Sequence, residues 1–101
     1  MAYNLIIKPE AENDIDEAIE WYKVQNKELC PKFLNEIEEC FDKIVTHPEH
    51  YQKRYREIRI IFTKKFPYGI YYLVKKKSLF ILAVLHNKQN PEVIHERKNS
   101  P

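Results

Sequence analysis

The sequence predicts a single α+β domain, helical in its first half and β-rich in its second. Two observations carry this. The apolar residues up to Thr46 recur at three- and four-residue steps, whereas after Pro48 the period falls to two. The charge divides at the same place. Residues 1–51 carry five lysines against twelve Asp and Glu, a net −7; residues 52–101 carry twelve Lys and Arg against three Glu, a net +9. A chain of 101 residues with 44% hydrophobic and 13% aromatic side chains has the length and composition of one globular domain, spanning 1–101.

Tyr3 to Lys8 reads as a short strand with Leu5 and Ile7 on one face. Pro9 suits the first turn of a helix, where its missing N–H costs nothing, and Glu10, Glu12, Asp14, Asp16 and Glu17 place acid at the positive helix end. Ala11, Ile15, Ala18, Ile19 and Tyr22 form its apolar stripe, and Gln25-Asn26 ends it. A second helix is expected over Lys27–Thr46, from Cys30, Phe33, Leu34, Ile37, Cys40, Phe41, Ile44 and Val45; Pro31 falls in its first turn and His47-Pro48 stops it. The short connection predicts two antiparallel helices. Glu36, Glu38 and Glu39 read as the solvated face of the second.

Arg56–Thr63, Phe66–Lys75 and Leu79–His86 read as strands, with Lys75-Lys76-Lys77-Ser78 as a hairpin turn. The run Leu79 to Leu85 is apolar on both faces, which predicts a central strand. One face would pack on the helices, and the other needs a cover beyond what this short chain supplies, so a bound partner is expected there. Pro91 opens a last helical turn through Glu92–Arg97.

Several classes are excluded. No apolar run approaches the ~20 residues that cross a bilayer, and the start lacks the basic region of a secretory signal. Cys30 and Cys40 lie on the apolar stripe of the second helix and read as reduced, buried thiols, so the expected compartment is the cytoplasm. One glycine, Gly69, leaves no phosphate loop, and no CxxC, HExxH or GxSxG occurs. His47 and His50 lack an obvious third ligand and read as a surface or capping pair. No metal or cofactor is expected.

The basic half suits an anionic partner, with nucleic acid the commonest; attraction between the two halves explains the same split. A candidate site collects at the end of the central strand. Arg59, Lys64, Lys65, Tyr71, His86 and Lys88 on an open sheet face would combine phosphate-binding cations with an aromatic stacking platform and one imidazole able to move a proton. Metal-free RNA cleavage needs no more: the 2′-OH attacks, His86 moves the proton, and Arg59 and Lys64 hold the phosphate, with Lys88 beside them. Arg56, Lys65, Tyr71, Lys88 and Arg97 would then contact RNA or a partner.

The order of segments resembles the RelE/ParE toxins of bacterial type II toxin–antitoxin pairs, sometimes labelled plasmid stabilisation proteins. The matching pieces are Ala11–Asp16 with Trp21-Tyr22, Phe33-Leu34 through Ile44, Pro48 with Tyr51, and above all Phe66-Pro67-Tyr68-Gly69-Ile70-Tyr71-Tyr72-Leu73-Val74. Ile81–His86, Pro91 and Arg97 follow. The resemblance implies a β-α-α-β-β-β order, with a two-helix hairpin on a curved, mainly antiparallel sheet. It also implies a cognate antitoxin that wraps and neutralises the chain in a hetero-oligomer. Two activities are implied, of which the first is slightly preferred here: ribosome-dependent, metal-free mRNA cleavage, as in RelE-like members, or inhibition of DNA gyrase without enzymatic activity, as in ParE-like ones; an inactive member that only binds its antitoxin is the remaining alternative. The RelE-like catalytic arginines and tyrosine fall at Gly69, Asn87 and Ile94, and the arginine of the family's HxxR stretch falls at Gln89.

Overall fold

The computed structural model describes residues 3–89 and 91–98. The elements run β1 (Asn4–Ile7), α1 (Pro9–Asn26), α2 (Leu29–Thr46), β2 (Lys53–Tyr55), β3 (Ile58–Phe62), β4 (Tyr68–Lys75), β5 (Ser78–His86) and α3 (Val93–Lys98). The five strands form one sheet in the order β1-β5-β4-β3-β2, parallel between β1 and β5 and antiparallel elsewhere.

The helices form where periodicity places them. Pro9 occupies the first turn of α1, and Ala11, Ala18 and Tyr22 are its buried residues. In α2 they are Phe33, Ile37, Cys40 and Ile44, a three- and four-residue repeat. Both helices pack on one face of the sheet, against Ile61, Tyr68, Ile70, Tyr72, Leu79, Ile81 and Val84. Tyr22, Phe33, Phe66 and Tyr68 meet there ring to ring, with centroids 5.1–6.4 Å apart. The tilted and edge-on orientations suit the ring quadrupoles. Tyr72, fully buried, donates its hydroxyl to the Pro48 carbonyl at 2.6 Å and so ties the loop after α2 to the middle of the sheet.

The central strand is β5, as its two apolar faces predict. Its register against β4 slips: Tyr71 pairs with Ala83 but Tyr72 with Ile81, leaving Leu82 as an extra residue. The bulge reverses the alternation, so Leu79, Ile81 and Val84 face the helices while Leu82, Ala83 and Leu85 face away.

Three expectations are corrected. The stretch Arg56–Thr63 is not one strand. Arg56 sits in a turn with φ 47, and a further strand, β2, precedes it. This edge strand lacks the apolar alternation that would announce it, because Lys53 and Arg54 are both exposed. The second face of the sheet finds its cover within the chain: α3 lays Ile94, with no exposed surface, over Ile58, Tyr71, Leu82 and Leu85. Finally, Glu36 is not merely solvated. Its carboxylate accepts the N–H groups of Lys64 and Lys65 at 2.9–3.2 Å and caps the β3–β4 turn.

Candidate functional site

Two turns meet at one end of the sheet. The β3–β4 turn carries Lys64 and Lys65, and the turn after β5 carries Lys88. They are joined where the Asn87 N–H donates to the Pro67 carbonyl at 2.8 Å. His86 pairs with Tyr68 across the strands, the rings meeting edge to face at 5.3 Å. Its Nδ1 accepts the Lys88 N–H at 3.1 Å, and its own N–H donates to Gln89 Oε1 at 2.6 Å. The Lys88 bond and the Tyr68 ring contact orient the imidazole, with Nδ1 as the accepting nitrogen.

The sheet brings His86, Lys64, Lys65 and Lys88 to this end and carries Arg59 away from it. Arg59 lies opposite Tyr72 on β4, whereas His86 lies opposite Tyr68. From Tyr68 to Tyr72 is roughly 13 Å along the strand, and β3 and β5 lie on opposite sides of β4, about 10 Å apart. The backbones of His86 and Arg59 are therefore about 16 Å apart across the sheet. The Arg59 guanidinium is also engaged: Nη1 donates to the main-chain carbonyls of Glu49 at 3.1 Å and Tyr51 at 2.7 Å. It fixes the loop after α2. Arg56 lies in the β2–β3 turn at the far end of the sheet.

Two more of the expected contact residues are turned inward. Tyr71 is only 8% exposed and packs with the second-face cluster, offering no ring on which a base could stack. Burial pushes its phenol above the usual range, partly offset by the Arg54 cation. Arg97 reaches from α3 to α1, where Nη1 and Nη2 bind Asp14 Oδ2 and Oδ1 at 2.5 and 3.2 Å; Nη1 also donates to the Leu82 carbonyl at 3.3 Å. Asp14 Oδ2 accepts the Val84 N–H at 3.0 Å as well. The pair, 17% and 10% exposed, clamps α3 across the end of the bulged strand. Lys64 remains on the surface, 4.0 Å from Glu39.

The positions where RelE-like members hold catalytic residues are occupied structurally. Ile94 is core. A Cβ at Gly69 would lie 2.9 Å from Ile60 Cδ1 and 3.4 Å from Phe62 Cε1, so these two side chains cover the strand where an arginine would stand. Asn87 is exposed in the turn.

Sequence reasoning missed several features of this end. Asp14, Glu17, Trp21, Tyr68 and Gln89 line a cleft of about 140 Å³, and two of them touch His86, Tyr68 through its ring and Gln89 through its Oε1. Trp21 is 59% exposed there, a large ring left to solvent. The signal was present in the sequence, since Trp21 lies off the α1 stripe of Ala11, Ala18 and Tyr22. Among the described residues, no group of three or more His, Cys, Asp or Glu is placed to hold a metal ion. No helix among them is long and apolar enough to cross a membrane.

Comparison with known proteins agrees with the architecture. Residues 5–91 match the family described as the ParE toxin of the type II toxin–antitoxin system parDE. A structure of a chromosomal ParDE toxin–antitoxin system from P. aeruginosa superimposes with a TM-score of 0.75 at 19% identity, covering 84% of this chain and 96% of that one. A mutant of the E. coli toxin RelE in the free state superimposes with a TM-score of 0.65 at 15% identity, over 96% and 94%. A search of curated proteins gives no match.

Proposed function

Because the chain belongs to the ParE toxin family of type II toxin–antitoxin systems, we propose that it arrests growth by gripping a protein target, DNA gyrase, and that a cognate antitoxin neutralises it. The observation that carries this reading over RNA cleavage is the dispersal of the candidate catalytic set. Cleavage by transesterification needs a proton carrier and several cations converging on one phosphate within hydrogen-bond reach. Here Arg59 serves loop carbonyls about 16 Å along the sheet from His86, and Arg97 is consumed by Asp14. Binding a large protein requires no such convergence. It uses exposed residues spread over one surface, and Trp21, Lys64, Lys65 and Lys88, with the half-buried His86 among them, supply these at one end of the sheet.

The test is induced expression followed by separate measurement of DNA synthesis, supercoiling and mRNA integrity, with purified gyrase assayed in parallel. The expected result is blocked replication and inhibited supercoiling with mRNA intact, relieved by the antitoxin encoded beside the toxin. Cleaved mRNA, with cleavage abolished by His86→Ala, would replace this reading with the nuclease one.

A further inference from the structure

We infer that the far end of the sheet, where the β2–β3 and β4–β5 turns lie side by side, binds the phosphate backbone of duplex DNA. This deepens the gyrase reading above, since gyrase works on DNA and a toxin seated on it would touch both. Strand pairing brings the turns together. Arg59 lies opposite Tyr72 and Lys75 opposite Ser78, so β3 begins and β4 ends at the same end of the sheet. The two turns carry Lys53, Arg54, Arg56, Lys75, Lys76 and Lys77, all exposed, against one carboxylate, Glu57. Lys53 engages Glu57 at 3.7 Å, and the other five cations make no ion pair among the described residues. Both turns are held in place, the first by pairing of Tyr55 with Ile58, the second by the Asn4 N–H, which donates to the Lys77 carbonyl at 2.8 Å. Their tips are strained. Arg56 and Lys76, with φ 47 and 56, are the two non-glycine residues of positive φ among those described. Glycine would take these angles more easily, yet each tip carries a cation.

The surroundings select the anion. None of the large apolar side chains exposed among the described residues, Ile6, Trp21, Val24, Leu34 and Phe62, lies in either turn. A protein partner favours an apolar centre to the contact, whereas a phosphate backbone asks only for cations and donors. The one aromatic residue of the turns, Tyr55, is half-buried against the cluster of Ile58 and Tyr71, which leaves no platform for the bases of a single strand. Two strand spacings separate the turn centres, about 10 Å, close to the ~12 Å width of the major groove of B-DNA. Long Lys and Arg side chains on the two turns would then reach phosphates on its two sides.

The experiment is fluorescence anisotropy of a short labelled DNA duplex of mixed sequence, titrated with the full chain over a range of salt. Five unpaired cations give an expected slope of log K on log salt of about −4 to −5. Arg56→Gly with Lys76→Gly removes two of them where glycine relaxes the backbone, so thermal melts should show the fold kept. The slope should become shallower by about 2, and the affinity at low salt should fall about tenfold or more. Lys27→Ala with Lys32→Ala, the same loss of charge on the exposed helical face, should leave binding within about twofold. No binding at low salt, an equal loss in that control, or tighter binding of polyglutamate or duplex RNA would overturn this surface. Supercoiling by purified gyrase, assayed on the same samples, separates the two claims. Inhibition without DNA binding keeps the gyrase reading and sinks this inference; DNA binding through the turns with gyrase unaffected does the reverse.

Discussion

Removing Asp14 tests how the helical half is joined to the end of the sheet. Its carboxylate takes two guanidinium bonds from Arg97 and the N–H of Val84, with little water about either side chain. Deleting one partner of such a pair leaves the other charge desolvated and unpaired, which costs about 3–5 kcal/mol. The lower end applies here, because both groups keep some solvent contact. A loss of ~3 kcal/mol in a domain of this size lowers Tm by roughly 12–24 °C. We expect that range for Asp14→Ala in thermal and urea melts, and a similar loss for Arg97→Ala. The double variant should lose little more than either single one, since the second deletion removes an interaction already broken. Replacing the pair by apolar residues of similar size, Asp14→Leu with Arg97→Met, should recover much of the loss. An Asp14→Ala variant within about 1 kcal/mol of the parent, or a double variant equal to the sum of the singles, would refute the clamp.

Three further outcomes follow from the packing. Tyr72→Phe removes the buried hydroxyl that satisfies the Pro48 carbonyl and should cost about 1–3 kcal/mol in urea unfolding, with an unchanged m-value. Glu36→Ala should destabilise by about 1–2 kcal/mol because two turn amides lose their acceptor, whereas exposed Glu38→Ala should stay within ~0.5 kcal/mol of the parent; urea melts of the two variants side by side check the contrast. Burial pushes the Tyr68 and Tyr72 phenols up to about 12. The folded state holds these protons more tightly than the unfolded chain. The stability they contribute is therefore complete below the ordinary tyrosine pKa near 10 and is lost as pH rises toward 12. Absorbance titration at alkaline pH should show these two tyrosines ionising late, together with loss of tertiary structure.

The sequence was most legible where one face of an element meets the core. The α2 repeat through Phe33, Ile37, Cys40 and Ile44, and the doubly apolar run Leu79–Leu85, each had one sensible burial. It was least legible where a polar group is used far from its own position. Nothing local in Asp14 says that it will bind Arg97, and Glu36 resembles its neighbours Glu38 and Glu39 until the β3–β4 turn arrives beside it. The candidate site suffered from the same cause. Arg59, His86 and Lys64 all fall on or beside strands, but strand register decides which end each occupies, and register arises from pairing between segments. Ile94 was placed correctly near a helical turn, yet its role as the cover of the second face depends on α3 folding back over β5.

The parallel pairing of β1 with β5 has a consequence for how the molecule comes into being. Asn4 is paired at Lys77 and Ser78, and Asp14 is bound by Val84 and Arg97. During synthesis, the amino-terminal strand and the first helix therefore wait until β5 and α3 have been made before these contacts close. Contacts so distant along the chain are slow to form and give little return until they are complete. A growing or truncated chain has helices but no finished sheet end, and so lacks the surface on which we place its toxicity. This end of the sheet is therefore assembled only once the residues from Ser78 to Arg97 have been added.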